Sequence, residues 1–182
     1  MSTKRLATTA MMMCIIIISI FLLRVPIPFT QGYVNLSDGM IFLAVLILGW
    51  KYGGAAAALG SMLGDIVGGF AMWAPWTFFI KGIMAIIVGL ILDAAMNGQG
   101  VTQRKMNVWK VLAMCAGGLF MTGGYFIAEG IMYGNWVIAA LGIPWNAGQF
   151  VLGIVIAMAL GAALNKTGFR TFMAQYNVKL GE

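Results

Sequence analysis

The chain has 182 residues, of which 62% are hydrophobic and 9% charged. Soluble domains carry about 25% charged residues, so this chain lacks the polar surface to face water, and its solvent over most of its area is lipid. The formal charge of +6 does not point to nucleic acid. The basic residues stand at the ends of apolar runs, where they orient membrane helices, and no stretch interleaves them with the polar residues of a nucleic-acid face.

A membrane helix needs roughly 20 mostly apolar residues. In chain order the apolar runs predict six spans, at 6–23, 38–50, 53–72, 76–96, 109–133 and 146–164, in one transmembrane domain over 1–182 with no dividing linker. The expected fold is therefore all-α and polytopic, in the cell membrane. The first run follows Lys4 and Arg5 and ends in Arg24-Val25-Pro26 without a small-residue cleavage site, so it is expected to be a retained helix and not a signal peptide. The second run is short and is either extended by residues 34–37 or partly re-entrant.

With the N-terminus cytoplasmic, the inner segments hold Lys4, Arg5, Lys51, Arg104, Lys105, Lys110, Lys166, Arg170 and Lys179. The outer segments hold Arg24 alone, and Lys81 falls within a helix. The positive-inside rule selects this orientation and places both termini in the cytoplasm. Trp73, Trp76, Trp136 and Trp145 then mark outer helix ends, and Trp50 and Trp109 mark inner ones, as interfacial tryptophans do.

Two spans carry small residues at spacing four, which lets another helix backbone approach closely. The third has Gly60, Gly64 and Gly68 after Gly53 and Ala57; the sixth has Gly153, Ala157 and Gly161. Packing within the bundle is the plain reading, and docking of another protein the functional one. Ala7, Ala10 and Cys14 form a weaker stripe on the first helix, among the adaptable side chains of Met11, Met12 and Met13.

The chain has no histidine and two cysteines, Cys14 and Cys115, both inside apolar runs. Common zinc sets, a Ser-His-Asp triad and a Cys-His pair are thereby ruled out, and no metal site or catalytic residue is expected. The cysteines read as packing residues, and their inner position argues against a disulfide.

Ionisable groups inside a span cost about 2.5–3.5 kcal/mol on insertion scales and mark functional sites by default. Asp93 lies near an inner end, within reach of water. Asp65, Lys81 and Glu129 fall on three different helices, roughly 6–12 Å below the outer boundary at a 1.5 Å rise per residue, with Asp38 at a helix start. Tyr33, Asn35, Thr77, Tyr125, Tyr133, Asn135, Asn146 and Gln149 share that depth. Tyr125, Glu129 and Tyr133 form one helix stripe, and Asn146 and Gln149 share a face. Two readings stand: an ion pair of Lys81 with Asp65 or Glu129 that ties helices together, or a pocket for a polar ring compound walled by aromatics. The inner half has no matching polar lining and no evident repeat, unlike a self-sufficient transporter with its site at the midplane.

The runs Gly32-Tyr-Val-Asn-Leu-Ser-Asp38, Gly49-Trp-Lys-Tyr-Gly-Gly54, Gly60-Ser-Met-Leu-Gly-Asp65 and Trp73-Ala-Pro-Trp-Thr-Phe-Phe-Ile-Lys-Gly82 complete this picture. Together they resemble the substrate-binding S component of an energy-coupling factor (ECF) vitamin transporter, in the riboflavin-type group that includes hydroxymethylpyrimidine and pyridoxine binders. The resemblance implies six helices, an extracellular vitamin site, and a lid in the first outer loop, here residues 24–37. It also implies a transmembrane coupling subunit and two cytoplasmic ATPases, which carry the ATP and Mg and drive toppling of the S component.

The family's contact with the coupling subunit uses an Ala-x-x-x-Ala motif on the first helix; this sequence departs from it, since Ala10-x-x-x-Cys14 fits in size only and Ala7 is followed four later by Met11, and Ala7, Ala10 and Cys14 are the expected contact. The chain has no Gly-x-x-x-x-Gly-Lys-Ser/Thr phosphate loop, in keeping with a non-catalytic subunit without its own cofactor. Tyr33, Asn35, Asp65, Trp76, Lys81, Glu129, Asn146 and Gln149 are the expected substrate contacts, with Trp76 stacking on the ring and Tyr33 closing the lid. Pyridoxine or hydroxymethylpyrimidine is the expected cargo, then riboflavin. The alternatives are a self-contained permease, which needs polar lining through the full thickness, and a membrane-embedded lipid-modifying enzyme, which needs a catalytic constellation at headgroup depth.

Overall fold

A computed structural model describes residues 3–28, 30, 32–97 and 102–166. The inner basic residues Arg170 and Lys179 lie outside the described residues. Helix α1 runs over Thr3–Leu22. Its buried residues, Thr9, Met12, Ile16, Ser19 and Ile20, recur every three or four positions and define one packed face. Ala7, Ala10, Met11, Cys14 and Ile18 point outward.

The segment between α1 and the next helix adds a β element to the expected all-α fold. Strands β1 (Arg24–Pro26) and β2 (Tyr33–Asn35) form an antiparallel ribbon in which Val25 faces Val34 and Pro26 faces Tyr33. Pro26 has no N–H to donate, which a two-stranded ribbon tolerates because each strand is an edge.

Helix α2 covers Ser37–Val67 and is broken at Gly49, whose φ of 73° and ψ of 179° belong to no helix. The break is a reversal. A Cβ added to Gly53 would stand 2.8 Å from the Cα of Val45, whereas eight residues of straight helix span about 12 Å. The expected second and third spans are thus the two arms of α2, folded against each other. Arg5 lies over the Tyr52 ring, so the Gly49 turn is on the same side of the bundle as the start of α1. The glycine stripe of the second arm packs within the bundle, with Gly60 against Ile16 and Gly64 against Ile20 of α1.

Helices α3 (Ala74–Met96), α4 (Gln103–Tyr133) and α5 (Trp136–Lys166) follow. α5 begins ten residues before the expected start at 146. Pro144 reads as a breaker in sequence, yet it lies inside the helix, as proline does in membranes where neighbouring groups take up the freed carbonyl. The tight turn into α5 has a local cause. Gly134 takes the left-handed φ of 62°, and the Asn135 side chain caps α5 by accepting from the backbone N–H of Val137 and Ile138 at 3.0 and 3.2 Å.

Five helices are long and apolar enough to cross a membrane among the described residues. The packed core runs from Ile16 and Ile20 of α1 through Phe42 and Val45 of α2 to Met84 and Val88 of α3 and Met114 and Met121 of α4.

Candidate functional site

Lys81 and Asp38 stand at the centre. They are 2% and 0% exposed and form the one salt bridge among the described residues. Burying two charges is repaid only where geometry and further hydrogen bonds are good, and both conditions hold. Gln149 Nε2 donates to the second oxygen of Asp38 at 2.9 Å, and the Lys81 ammonium also meets Met121 Sδ at 2.9 Å. Lys81 lies 5.5 Å from the centre of the Tyr125 ring as well. Close approach of the helices makes this possible: Gly153 on α5 lies against Asp38 and Gly39, with its added Cβ only 2.8 Å from Asp38 Cβ. The partner of Lys81 is therefore Asp38, and neither Asp65 nor Glu129.

Asp65, at the end of the second arm of α2, accepts from the Tyr33 hydroxyl instead. Burial first, then the Asp65 carboxylate beside it, push the Tyr33 phenol well above its ordinary pKa, so it remains a donor. The Tyr33 ring packs at 4.5 Å on Phe70, and the Arg24 guanidinium lies over it at 4.4 Å. Arg24 Nη1 in turn donates to Gly68 O at 3.3 Å. The ribbon is also tied to α5, because the Asn35 backbone N–H donates to Gln149 Oε1 at 2.7 Å. Gln149 thus links the ribbon to the buried ion pair. The Asn35 side chain turns back to cap α2, accepting from Ser37 N at 2.8 Å.

One cavity gathers Tyr33, Asn35, Asp65, Lys81, Glu129, Asn146 and Gln149, all singled out by sequence. Trp76 is not on its wall. The ring there is Trp73, buried and 6.1 Å from Tyr125. Helix phase explains the exchange: Trp73, Thr77 and Lys81 are spaced by four and share a face, while Trp76 heads a face that continues to the exposed Phe79 and Ile83. Sequence reasoning passed over Trp73 and Asp38 as site residues; the spacing of four from Thr77 and eight from Lys81 was a usable signal for the first. We expect Trp73→Leu to weaken cargo binding at least tenfold and Trp76→Leu to change it less than threefold, since base-sized aromatic stacking is worth about 1–3 kcal/mol; titration by calorimetry in detergent separates them.

The space at the site is about 30 Å³, room for a water or two. Four polar atoms on the wall are sealed and without partners: Ser37 Oγ, Ser61 Oγ, Trp73 Nε1 and Glu129 Oε2. Buried polar atoms are nearly always paired, and an unpaired one costs about 1–3 kcal/mol. Four on one wall make a set of hydrogen-bonding positions that a ligand would complete.

The arrangement, a polar cavity beside a ribbon in an apolar helical bundle, defines a membrane protein with a candidate solute site. Residues 1–166 match the family model of the ECF-type riboflavin transporter, S component. The chain belongs to that family of integral membrane, substrate-binding subunits for vitamins and their precursors. A Pyrococcus woesei protein described as an uncharacterized protein in the gap 3′ region is 34% identical over 150 residues, 82% of this chain and 93% of that one. The thiamine precursor transporter HmpT of Lactococcus lactis subsp. cremoris (strain MG1363) is 29% identical over 144 residues, covering 79% and 76%. A solved S component of a bacterial ECF transporter shares the fold, with a TM-score of 0.67 at 21% identity over 90% of this chain and 96% of that one.

Proposed function

We propose that this chain captures a thiamine precursor, hydroxymethylpyrimidine ahead of pyridoxine and riboflavin, from the extracellular side for ATP-driven import. The observation that carries the reading is the set of unpartnered polar atoms around Trp73, beside the Asp38–Lys81 pair, in a small outward-lying cavity. The likeness to a thiamine precursor transporter favours a single-ring cargo over a flavin.

In this reading the chain crosses the membrane six times, the arms of α2 counting as two passages, and both termini lie in the cytoplasm. Below Lys81 the bundle is closed by Met84, Val88 and Met114, all fully buried. That apolar floor speaks against a self-contained permease. Release inward then depends on a transmembrane coupling subunit and two ATPase subunits that hold ATP and Mg. The outward-facing Ala7, Ala10 and Cys14 on α1 are the proposed contact with the coupling subunit.

The test is binding by the purified chain alone, without ATP, to hydroxymethylpyrimidine, pyridoxine, riboflavin, thiamine, pantothenate and folate. One-to-one binding of hydroxymethylpyrimidine, at least 100-fold tighter than riboflavin, is the expected result. A folded sample that binds none of them would overturn the capture reading.

A further inference from the structure

Among the described residues, Glu129 is the acid of the site with a carboxyl oxygen, Oε2, that no hydrogen-bond donor meets. Asp38 is held by Lys81 and Gln149, and Asp65 by Tyr33. Lys81 is engaged by Asp38, Met121 and Tyr125, and Arg24 sits on the far side of Tyr33, against Phe21, Phe70 and Gly68. Glu129 is 1% exposed, and its Oε2 has no hydrogen-bond partner.

Two glycines lie against it, and neither brings a side-chain donor. A Cβ on Gly142 of α5 would lie 2.5 Å from Oε2, and one on Gly32 of the ribbon 3.5 Å from Oε1. The backbone groups of Gly32 are committed elsewhere: its N–H donates to Thr30 Oγ1, and its carbonyl accepts from Ile27 N. The Trp73 ring lies 3.6 Å from that same point on Gly32. A flat ring placed under Gly32 therefore meets the Trp73 indole and the Glu129 carboxyl together.

We propose that Glu129 selects the cargo by its hydrogen-bonding edge, taking a heterocycle that bears an amidine, a basic ring nitrogen beside an exocyclic amine. The inference rests on the capture reading and adds the chemical class. A carboxylate accepts two parallel N–H bonds from a protonated amidine, the strong bidentate geometry it also makes with arginine. An oxo group in place of the amine turns an acceptor toward an acceptor and leaves buried groups unpaired, the kind of mismatch that polar sites reject by several orders of magnitude. The same chemistry disfavours acidic cargo.

The experiment compares the aminopyrimidine, hydroxymethylpyrimidine, with the pyrimidinone in which an oxo group replaces the amine, by calorimetry on the purified full chain and on Glu129→Gln. The wild type is expected to prefer the amine by about 100-fold or more. Glu129→Gln, whose amide can donate to the oxo group, is expected to bring the two within tenfold or reverse them. Binding of the pyrimidinone by this variant also demonstrates that it is folded. Gly142→Ala, which keeps the charge and displaces the carboxyl, is expected to weaken the amine at least tenfold.

A wild type that binds both compounds equally, or a Glu129→Gln that keeps the full preference, overturns the role of Glu129 and leaves vitamin capture standing. A wild type that binds neither compound overturns the role of Glu129, and the capture reading falls with it only where the folded chain also binds none of the other vitamins of the panel. A Glu129→Gln that binds neither compound and has lost its thermal transition shows Glu129 to be structural, which also overturns the selection role.

Discussion

Lys81→Met is expected to lower stability by about 3–5 kcal/mol and to abolish cargo binding, while Asp38→Asn added to it recovers most of the stability and none of the binding. Methionine keeps the length and apolar stem of lysine, so packing changes little. What it removes is the cation beside a fully buried carboxylate, and breaking a buried pair from one side carries that penalty because a lone charge stays behind. Removing the second charge relieves it. Gln149 can still meet the amide that Asp38→Asn introduces, and the lid's bond from Asn35 N–H to Gln149 has no reason to open. Thermal unfolding in detergent reads the first effect, and calorimetry with hydroxymethylpyrimidine the second. A single variant as stable as the wild type would show that the pair does not organise the bundle. A double variant that binds normally would show that it does not serve the cargo.

Much of this site was legible because lipid makes ionisable groups conspicuous. Asp65, Lys81 and Glu129 stand out in apolar runs, and helix arithmetic alone puts them at one depth. Which groups pair was not legible. The partner of Lys81 is decided by how α2 folds back and by Gly153 admitting Asp38 to the α5 surface, and both are tertiary facts. Pairing of Asp65 with Tyr33 likewise depends on the ribbon, whose three-residue strands carry too little pattern to announce themselves. The choice between Trp73 and Trp76 was within reach of helix phase, because only the first stands four and eight residues from Thr77 and Lys81. The start of α5 was obscured by Pro144, a residue whose meaning differs between water and membrane.

The two readings left open by sequence, a structural ion pair and a polar pocket, are not alternatives in this geometry. Lys81 and Asp38 tie α3 to α2 and, through Gln149, to α5 and the ribbon. Lys81 also lines the cavity, together with Gln149. A ligand that disturbs Gln149 therefore acts on the ribbon and on three helices at once. Arg24 is a second tie, joining β1 to the end of α2 through Gly68. The Tyr33 hydroxyl on Asp65 is a third, and opening of the ribbon has to break all three.

The second large effect concerns Gly49. Gly49→Ala is expected to lower stability by about 1–3 kcal/mol and cargo affinity at least tenfold. At φ 73° and ψ 179° the backbone occupies a region that is essentially glycine's own, and a side chain there is strained by about 1–3 kcal/mol. An added Cβ would touch nothing within 4 Å, so the loss comes from the backbone and not from a clash. The first arm, residues 37–48, is about 18 Å long, well short of the roughly 30 Å of a hydrocarbon core. Asp38 and Asp65 sit on opposite arms, so relaxing the turn separates the two halves of the site. Gly123→Ala is the control: it too meets nothing within 4 Å, but it lies inside α4, where alanine is favoured over glycine. Thermal unfolding and calorimetry should show Gly123→Ala neutral or slightly stabilised with normal binding. If Gly49→Ala behaves the same way, the reversal at Gly49 is not what brings the two acids together.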